Sequence, residues 1–216
     1  MSTLDPTAIL DRLKWRYATK QYDTTQKIPA DVWYALEQSL VLSPSSFGLQ
    51  PWKFFVVDDP AVRAELRKVG WGQSQFTDAS HLVVIASKLN FSADDVEKYF
   101  ARVLEVTGAP ASAFEGYKNI MLGFIKTPPP GVNIEEWVRK QGYIALGVFL
   151  TTAAVLGVDA TPIEGFDHEG VNKVLGLSEQ GYSATVIVAA GYRSSTDKYA
   201  NSSKIRYATE TVVKHV

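Results

Sequence analysis

The chain contains no cysteine. Disulfides, thiolate nucleophiles, iron–sulfur clusters and cysteine-ligated zinc are therefore excluded. Histidine is scarce. His81, His168 and His215 are all there are, and no two stand at i, i+4, so no local metal pair exists. Neither sign of charge is in excess: Lys and Arg number 22, Asp and Glu 23, for a net charge of -1. A nucleic-acid partner would call for a basic surplus or stripe, which this composition lacks. The common phosphate-binding signatures G-x-G-x-x-G and G-x-x-x-x-G-K-[ST] are missing as well. Gly72-Gln73-Ser74-Gln75-Phe76 lacks the closing Gly of a nucleophile elbow. No serine has partners for a triad, and His81 heads an apolar run where a core or capping role suits it.

What is present describes an ordinary globular chain. Hydrophobic residues make up 46% and charged residues 21%, values that exclude disorder as a whole-chain description. At 216 residues the chain is long enough to bury a core without covalent staples, and a single domain over 1–216 is expected. Residues 1–20 carry Asp5, Asp11, Arg12, Lys14, Arg16 and Lys20, which leaves no apolar core for a secretory signal, so the expected location is the cytoplasm. One long uncharged run occurs, the 18 residues from Gln141 to Val158. That is near the lower length of a membrane span. Thr151 and Thr152 at its middle, with Gly142, Gly147, Ala153 and Ala154, instead predict a helix buried on all sides of a soluble core, packed closely through its small residues.

Caps and periodicity predict the remaining elements. Asp5-Pro6 and Asp59-Pro60 each pair an N-cap with proline at the first helical position. Helices are expected over 6–16, over 29–42 and from 60 onward. Ser92 with Asp95 caps another that continues through Val106. Residues 111–126 form a further helix, and Pro128-Pro129-Pro130-Gly131 breaks the chain. Asn133 with Glu136 opens the long helix over 134–156, closed by Gly157. Asp167 caps a small helix that ends at Gly176. Apolar runs at 53–58, 81–87 and 183–190 read as buried strands, with 159–163 short and extended. Residues 209–216 are β-type with nothing downstream to pair with. Helices interspersed with few, widely spaced strands put the chain in the α+β class with a three-layer arrangement.

Candidate chemistry is sparse. Asp94-Asp95 and Glu135-Glu136 stand at helix starts, where the macrodipole favours acids. Arg16-Tyr17-Ala18-Thr19-Lys20 follows the first helix, and Lys204-Ile205-Arg206 lies far downstream. Arg and Lys a few residues apart on extended backbone can converge on one phosphate, Arg bidentately. Either cluster alone is also an ordinary solvated surface. Thr161-Pro162-Ile163-Glu164-Gly165 ends in a glycine that permits close backbone approach to a ligand, or simply a turn.

These segments carry a resemblance. Arg16 to Lys20 resembles the R-x-S-x-[KR] opening of the nitroreductase family of FMN enzymes. Ser43-Pro44-Ser45-Ser46-Phe47-Gly48-Leu49-Gln50-Pro51-Trp52 resembles its S-P-S-x-x-N-x-Q-P-W segment. Asp78-Ala79-Ser80-His81 is similar to its D-A-S/P segment. Pro162-Ile163-Glu164-Gly165-Phe166 resembles the P-I-E-G-F motif of the oxygen-insensitive members, and Lys204-Ile205-Arg206 their K-x-R tail. All occur in the family's order across residues 16–206.

The resemblance implies a three-layer α/β/α nitroreductase-like fold, a small, mostly antiparallel sheet flanked by helices. It implies a homodimer with FMN at the subunit interface and the C-terminal strand exchanged between subunits. NADH or NADPH would donate hydride, and nitroaromatics, quinones or similar small acceptors would receive it in a ping-pong cycle. Arg16, Lys204 and Arg206 would hold the phosphate, with Tyr17 and Ala18 beside it. Lys20, Gln73 and Gln75 would meet the pyrimidine end of the ring. Pro162, Ile163, Glu164 and Gly165 would line it, with backbone N–H groups toward N5. Pro44, Ser45, Ser46 and Gly48 would come from the other subunit, and Gln141 matches a further flavin-side position. Phe124 stands near the family's aromatic gate on the substrate side. The chain departs from the pattern at Ala18 (usually Ser), Gly48 (usually Asn) and Gln75 (Lys in close relatives). Cofactor-borne hydride chemistry requires no thiol, metal or general acid of the protein, in keeping with the missing motifs. Other readings are a flavin or enone reductase on the same fold, a non-catalytic FMN-binding dimer, and a helical interaction protein without cofactor.

Overall fold

A computed structural model describes residues 5–216. Asp5 and Asp59 both accept from a backbone N–H two residues on, and proline follows each; α1 runs Pro6–Trp15 and α3 runs Pro60–Val69. Between them lie α2 (Ala30–Val41) and β1 (Trp52–Val56). Then come α4 (Gln75–Asp78), β2 (His81–Lys88), α5 (Ala93–Thr107), α6 (Glu115–Lys126), α7 (Ile134–Val155), β3 (Asp159–Ile163), α8 (His168–Leu175), β4 (Tyr182–Gly191) and α9 (Thr209–Val212). Ser92 and Asp95 form the expected capping box on α5, and Asn133 accepts from the Glu136 N–H at the start of α7. Of the paired acids, Asp95 is spent on capping, while the Glu136 carboxylate pairs with Lys140 (2.9 Å).

The sheet is antiparallel throughout, in the order β1-β2-β4-β3. Alternation sends Leu82 and Val84 to one face, against α3, α8 and Phe76. Val83 and Ile85 go to the other, against α2 and α7. Near its start β4 breaks this parity. Ile85 pairs with Val186 but Ala86 pairs with Ala184, so Thr185 is an extra residue in the ladder. The bulge keeps Ala184 on the same face as Ile187 and Ala189. Past Ile163, β3 no longer covers β4. Two side chains of α8 close that exposed edge: His168 Nδ1 donates to the Ala184 carbonyl (2.9 Å), and the Ala184 N–H donates to Asn172 Oδ1 (2.8 Å). A third cluster joins α5 and α6 around Phe100 and Met121.

Three expectations are corrected. The α7 helix is not buried on all sides. Val138, Gln141, Gly142, Ala145, Leu146, Phe149, Ala153 and Ala154 face the sheet, while Tyr143, Ile144, Gly147 and Thr151 face outward. Low charge made the two faces indistinguishable in sequence. The tail expected as a strand begins instead with the helical turn α9, where the Val213 N–H bonds the Thr209 carbonyl (2.7 Å). Within its own chain the segment pairs with no strand, and its local bonds are those of this one turn, from the Thr211 and Val213 N–H groups. The helix expected over 111–126 starts at Glu115, after a short 3₁₀ turn at Ala111–Ala113. No helix of the described residues is long and apolar enough to cross a membrane.

Candidate functional site

The chain's two distant cationic segments meet. Arg16, Tyr17, Ala18 and Lys20 line one open cleft of about 870 Å³ together with Pro162, Arg193 and the run from Tyr199 to Arg206. Lys204 Nζ donates to the Arg16 carbonyl. Burial and the neighbouring Arg206 charge push the Arg16 pKa down. Burial and then the Arg16 and Arg206 charges do the same to Lys204. Each cation therefore feels the others. None of Arg16, Lys204 and Arg206 pairs with a carboxylate among the described residues. Clustered like charges without a counter-charge are what an anion site requires, and a phosphate fits them chemically.

The neighbouring Arg193 has a different task. It stacks between Trp15 (4.3 Å) and Tyr17 (4.6 Å) and forks onto buried Asp159, with Nε 2.9 and 3.0 Å from its two oxygens. It walls the cleft but its charge is neutralised. Asp197 receives Tyr17 Oη (2.9 Å) and the Lys20 and Gln21 N–H groups (2.8 and 3.0 Å) on Oδ2, and the Tyr199 N–H (3.0 Å) on Oδ1. Burial works to raise the Asp197 pKa, but these donors outweigh it and hold the carboxyl below its ordinary value. Tyr17 is pushed up to about 12 by burial and by that same bond.

The Pro162–Gly165 turn leaves the end of β3. Ile163 is buried in the core, and Gln73 pins the turn by donating to the Gly165 carbonyl (2.7 Å) and to that of Gly70 (2.9 Å). Gly165 is required by close contact: a Cβ there would lie 2.7 Å from the Trp71 ring. Trp71 itself is 72% exposed and sits at φ 57°, a left-handed backbone that bulky residues rarely adopt. Sequence reasoning missed it, because nothing local marks a lone exposed tryptophan. Tyr143 on α7 donates to Glu164 Oε1. Burial and that carboxylate raise the Tyr143 pKa to about 12. Gln75 is buried in α4, which itself went unforeseen, and its side-chain amide makes no hydrogen bond among the described residues.

The remaining candidates gather elsewhere in the chain. Pro44, Ser45, Ser46 and Gly48 lie on the loop before β1, where the Ser46 N–H donates to Gln141 Oε1 (2.8 Å). Gln141 Nε2 donates to the Trp137 carbonyl (2.8 Å), so both ends of its amide are engaged in shaping this loop. Gly48 has φ 74°, and a Cβ there would fall 2.7 Å from Tyr99 Oη, which explains why this chain carries glycine at the position. Phe124 packs on Phe47 (5.4 Å between ring centroids) and Trp137 (5.3 Å). This loop cluster shares no cavity with the cationic cleft among the described residues.

Known proteins place this geometry. The chain is 39% identical to the Bacillus subtilis protein named "Putative NAD(P)H nitroreductase YfkO", over 97% of this chain and 98% of that one. The fold is shared with the Bacillus subtilis protein YdfN (TM-score 0.83, 16% identity, 98% of this chain and 100% of that one). It is shared too with an Exiguobacterium sibiricum protein solved in complex with FMN (TM-score 0.81, 18% identity, 100% and 99% covered). The profile of the Nitroreductase family matches residues 13–192. With most of its length matched by that profile, and with 39% identity to a relative along nearly its whole length, the chain belongs to the nitroreductase family.

Proposed function

We propose that the protein is an FMN-dependent NAD(P)H oxidoreductase that works as a homodimer and reduces nitroaromatics, quinones or similar small conjugated acceptors by a ping-pong cycle. The observation that carries the reading is the convergence of Arg16, Lys204 and Arg206 on one cleft with no carboxylate to neutralise them. When bound, FMN supplies the hydride-accepting and hydride-donating chemistry. The chain's residues bind and orient it. The three cations take the phosphate, by charge-assisted bonds that Arg can make bidentately. Lys20, on the same cleft, supplies positive charge for the pyrimidine end. The Gln75 amide, unspent inside the chain, is a further polar contact there. Backbone N–H groups of Glu164 and Gly165 serve N5, in a turn that Gln73 holds rigid. The exposed Trp71 ring lies against Gly165 of this turn.

Dimerisation completes the site. The Pro44–Gly48 loop and Phe124 form a separate cluster within one chain, and pairing two chains brings one copy's loop to the other copy's cleft. The outward face of α7 supports this, because Ile144, Gly147, Val148 and Thr151 present a surface without charge. The test begins with the visible spectrum of the purified protein. Bound FMN should bleach anaerobically on addition of NADH or NADPH, and acceptors should restore its colour. Initial rates at several fixed acceptor concentrations should give parallel double-reciprocal lines. A colourless protein that binds no added FMN contradicts the proposal. One that binds FMN but is not bleached by either nicotinamide is a binder, not an enzyme.

A further inference from the structure

Three like charges held together repel one another, so something other than mutual attraction must keep the phosphate cradle assembled before its ligand arrives. The cradle has two strands of backbone, Arg16–Lys20 and Tyr199–Arg206, which are remote in sequence. We propose that Asp197 is the positioning residue of this cradle: its carboxylate staples the Arg16–Lys20 segment to the turn that leads to Lys204 and Arg206. The inference rests on the FMN reading above.

The geometry is specific to a carboxylate. Oδ2 accepts from Tyr17 Oη, the Lys20 N–H and the Gln21 N–H, and Oδ1 accepts from the Tyr199 N–H, all within 2.8–3.0 Å. An ionised carboxyl is acceptor-only with about four lone-pair sites, so four donors match it fully. An amide has one acceptor oxygen, and its NH₂ would face at least one of these donors head-on. Asp197 is 4% exposed, does not line the cleft and has no cation partner among the described residues. It cannot serve as a phosphate ligand, and its own negative charge would oppose one. Its bonds run only to the segments on either side. On one side they fix the Lys20 and Gln21 backbone, just after Ala18, and the Tyr17 side chain just before it. On the other they fix Tyr199, where the cleft-lining run begins, and the Ala200 N–H on the Asp197 carbonyl (3.0 Å) tightens the same turn. Downstream, Lys204 Nζ closes the loop on the Arg16 carbonyl. The staple therefore acts mainly on the phosphate end of the ligand: at the ring end it holds only the Lys20 backbone, while Gln73, Gln75 and the Pro162–Gly165 turn make no bond to it.

That asymmetry gives the test. FMN and riboflavin differ only in the phosphate. Their dissociation constants are measured by flavin fluorescence quenching on full-length protein, for wild type, Asp197→Asn and Tyr17→Phe. Asp197→Asn should weaken FMN roughly ten- to a hundred-fold and riboflavin far less, by about threefold at most through the Lys20 backbone. Tyr17→Phe removes one donor of the four and should weaken FMN alone, by roughly three- to tenfold. Equal losses for both flavins would mean a general structural role and overturn the inference, as would unchanged FMN affinity in both variants. Should Asp197→Asn fail to fold, Tyr17→Phe decides by the same FMN-to-riboflavin ratio. Wild-type protein that binds neither flavin overturns the FMN reading itself, a result distinct from variants that keep the wild-type ratio.

Discussion

Arg206 shows how much a single side chain can carry when its charge is uncompensated. Burial first, and then its charge, lower the titration of Arg16 and, together with the Arg16 charge, that of Lys204, so the three are electrostatically coupled. Removing a charge-assisted partner costs roughly 1.5–3 kcal/mol, or about ten- to a hundred-fold in affinity. Arg206→Ala should therefore purify pale and recover activity with added FMN; full retention of flavin through dialysis would contradict the assignment. At the other end of the site, Glu164 is bonded to Tyr143 and its backbone, not its carboxylate, is assigned to the flavin. Glu164→Gln should keep FMN and most of the rate of flavin reduction, read by rapid-mixing absorbance. Gly165→Val should do neither: its side chain displaces the exposed Trp71 ring and keeps the backbone of the turn from approaching the flavin closely.

Among the elements, α7 is the most exposed to a decisive experiment. One face is wedged against the sheet closely enough that a Cβ on Gly142 would lie 3.3 Å from Ile85 Cγ2. The other face offers Ile144, Gly147 and Thr151 without a charge. If that face joins two subunits, Ile144→Glu buries an unpaired carboxylate there, a cost of several kcal/mol. Sedimentation should then find monomer, and FMN should be lost in parallel, because the Pro44–Gly48 loop leaves the partner's cleft. A monomeric variant with undiminished FMN affinity would separate dimer from site. The tail is the second such element. Ile205, Tyr207, Val212 and Val216 are all largely exposed in the single chain. Deleting 208–216 should lower the melting temperature of the dimer if these side chains are covered by the other subunit; no change would show that the tail stabilises nothing.

For the whole molecule, acid stability turns on a histidine outside the site. His81 stacks on Trp33 (3.8 Å) and bonds Ser80 Oγ through Nδ1 (3.0 Å). Burial, then the Arg63 charge, pushes its pKa down from 6.5 to about 4, with Lys27 adding and Asp58 opposing. The folded pKa lies below the unfolded one. Between pH 6.5 and about 4 the unfolded chain therefore binds a proton that the folded chain refuses, so stability falls as pH falls through that window. Melting temperature against pH should show this slope, and His81→Phe should flatten it. The ring is only half-buried, so solvent screening will make the slope shallower than the shift alone suggests.

The elements that sequence alone determined are those with local causes. Asp5-Pro6 and Asp59-Pro60 began helices where they stand, because cap and proline act within one turn. Residues 81–87 were legible as a strand from their apolar, β-branched run and 159–163 only as a short extended piece, and the α+β class followed from helices interspersed with few, widely spaced strands. The cation clusters were legible only as two unrelated surfaces until the family's motif order joined them. Tertiary structure decided everything that depends on distant residues meeting. It brought Arg16 beside Lys204 and Arg206, and turned one face of an uncharged helix outward. It made Thr185 a bulge, laid Trp71 over Gly165, and gave Asp197 four donors. No local pattern marks a solitary acid in a polar loop or a solitary tryptophan in a turn. Their roles arise from burial and convergence, which are properties of the packed chain and not of its neighbours in sequence.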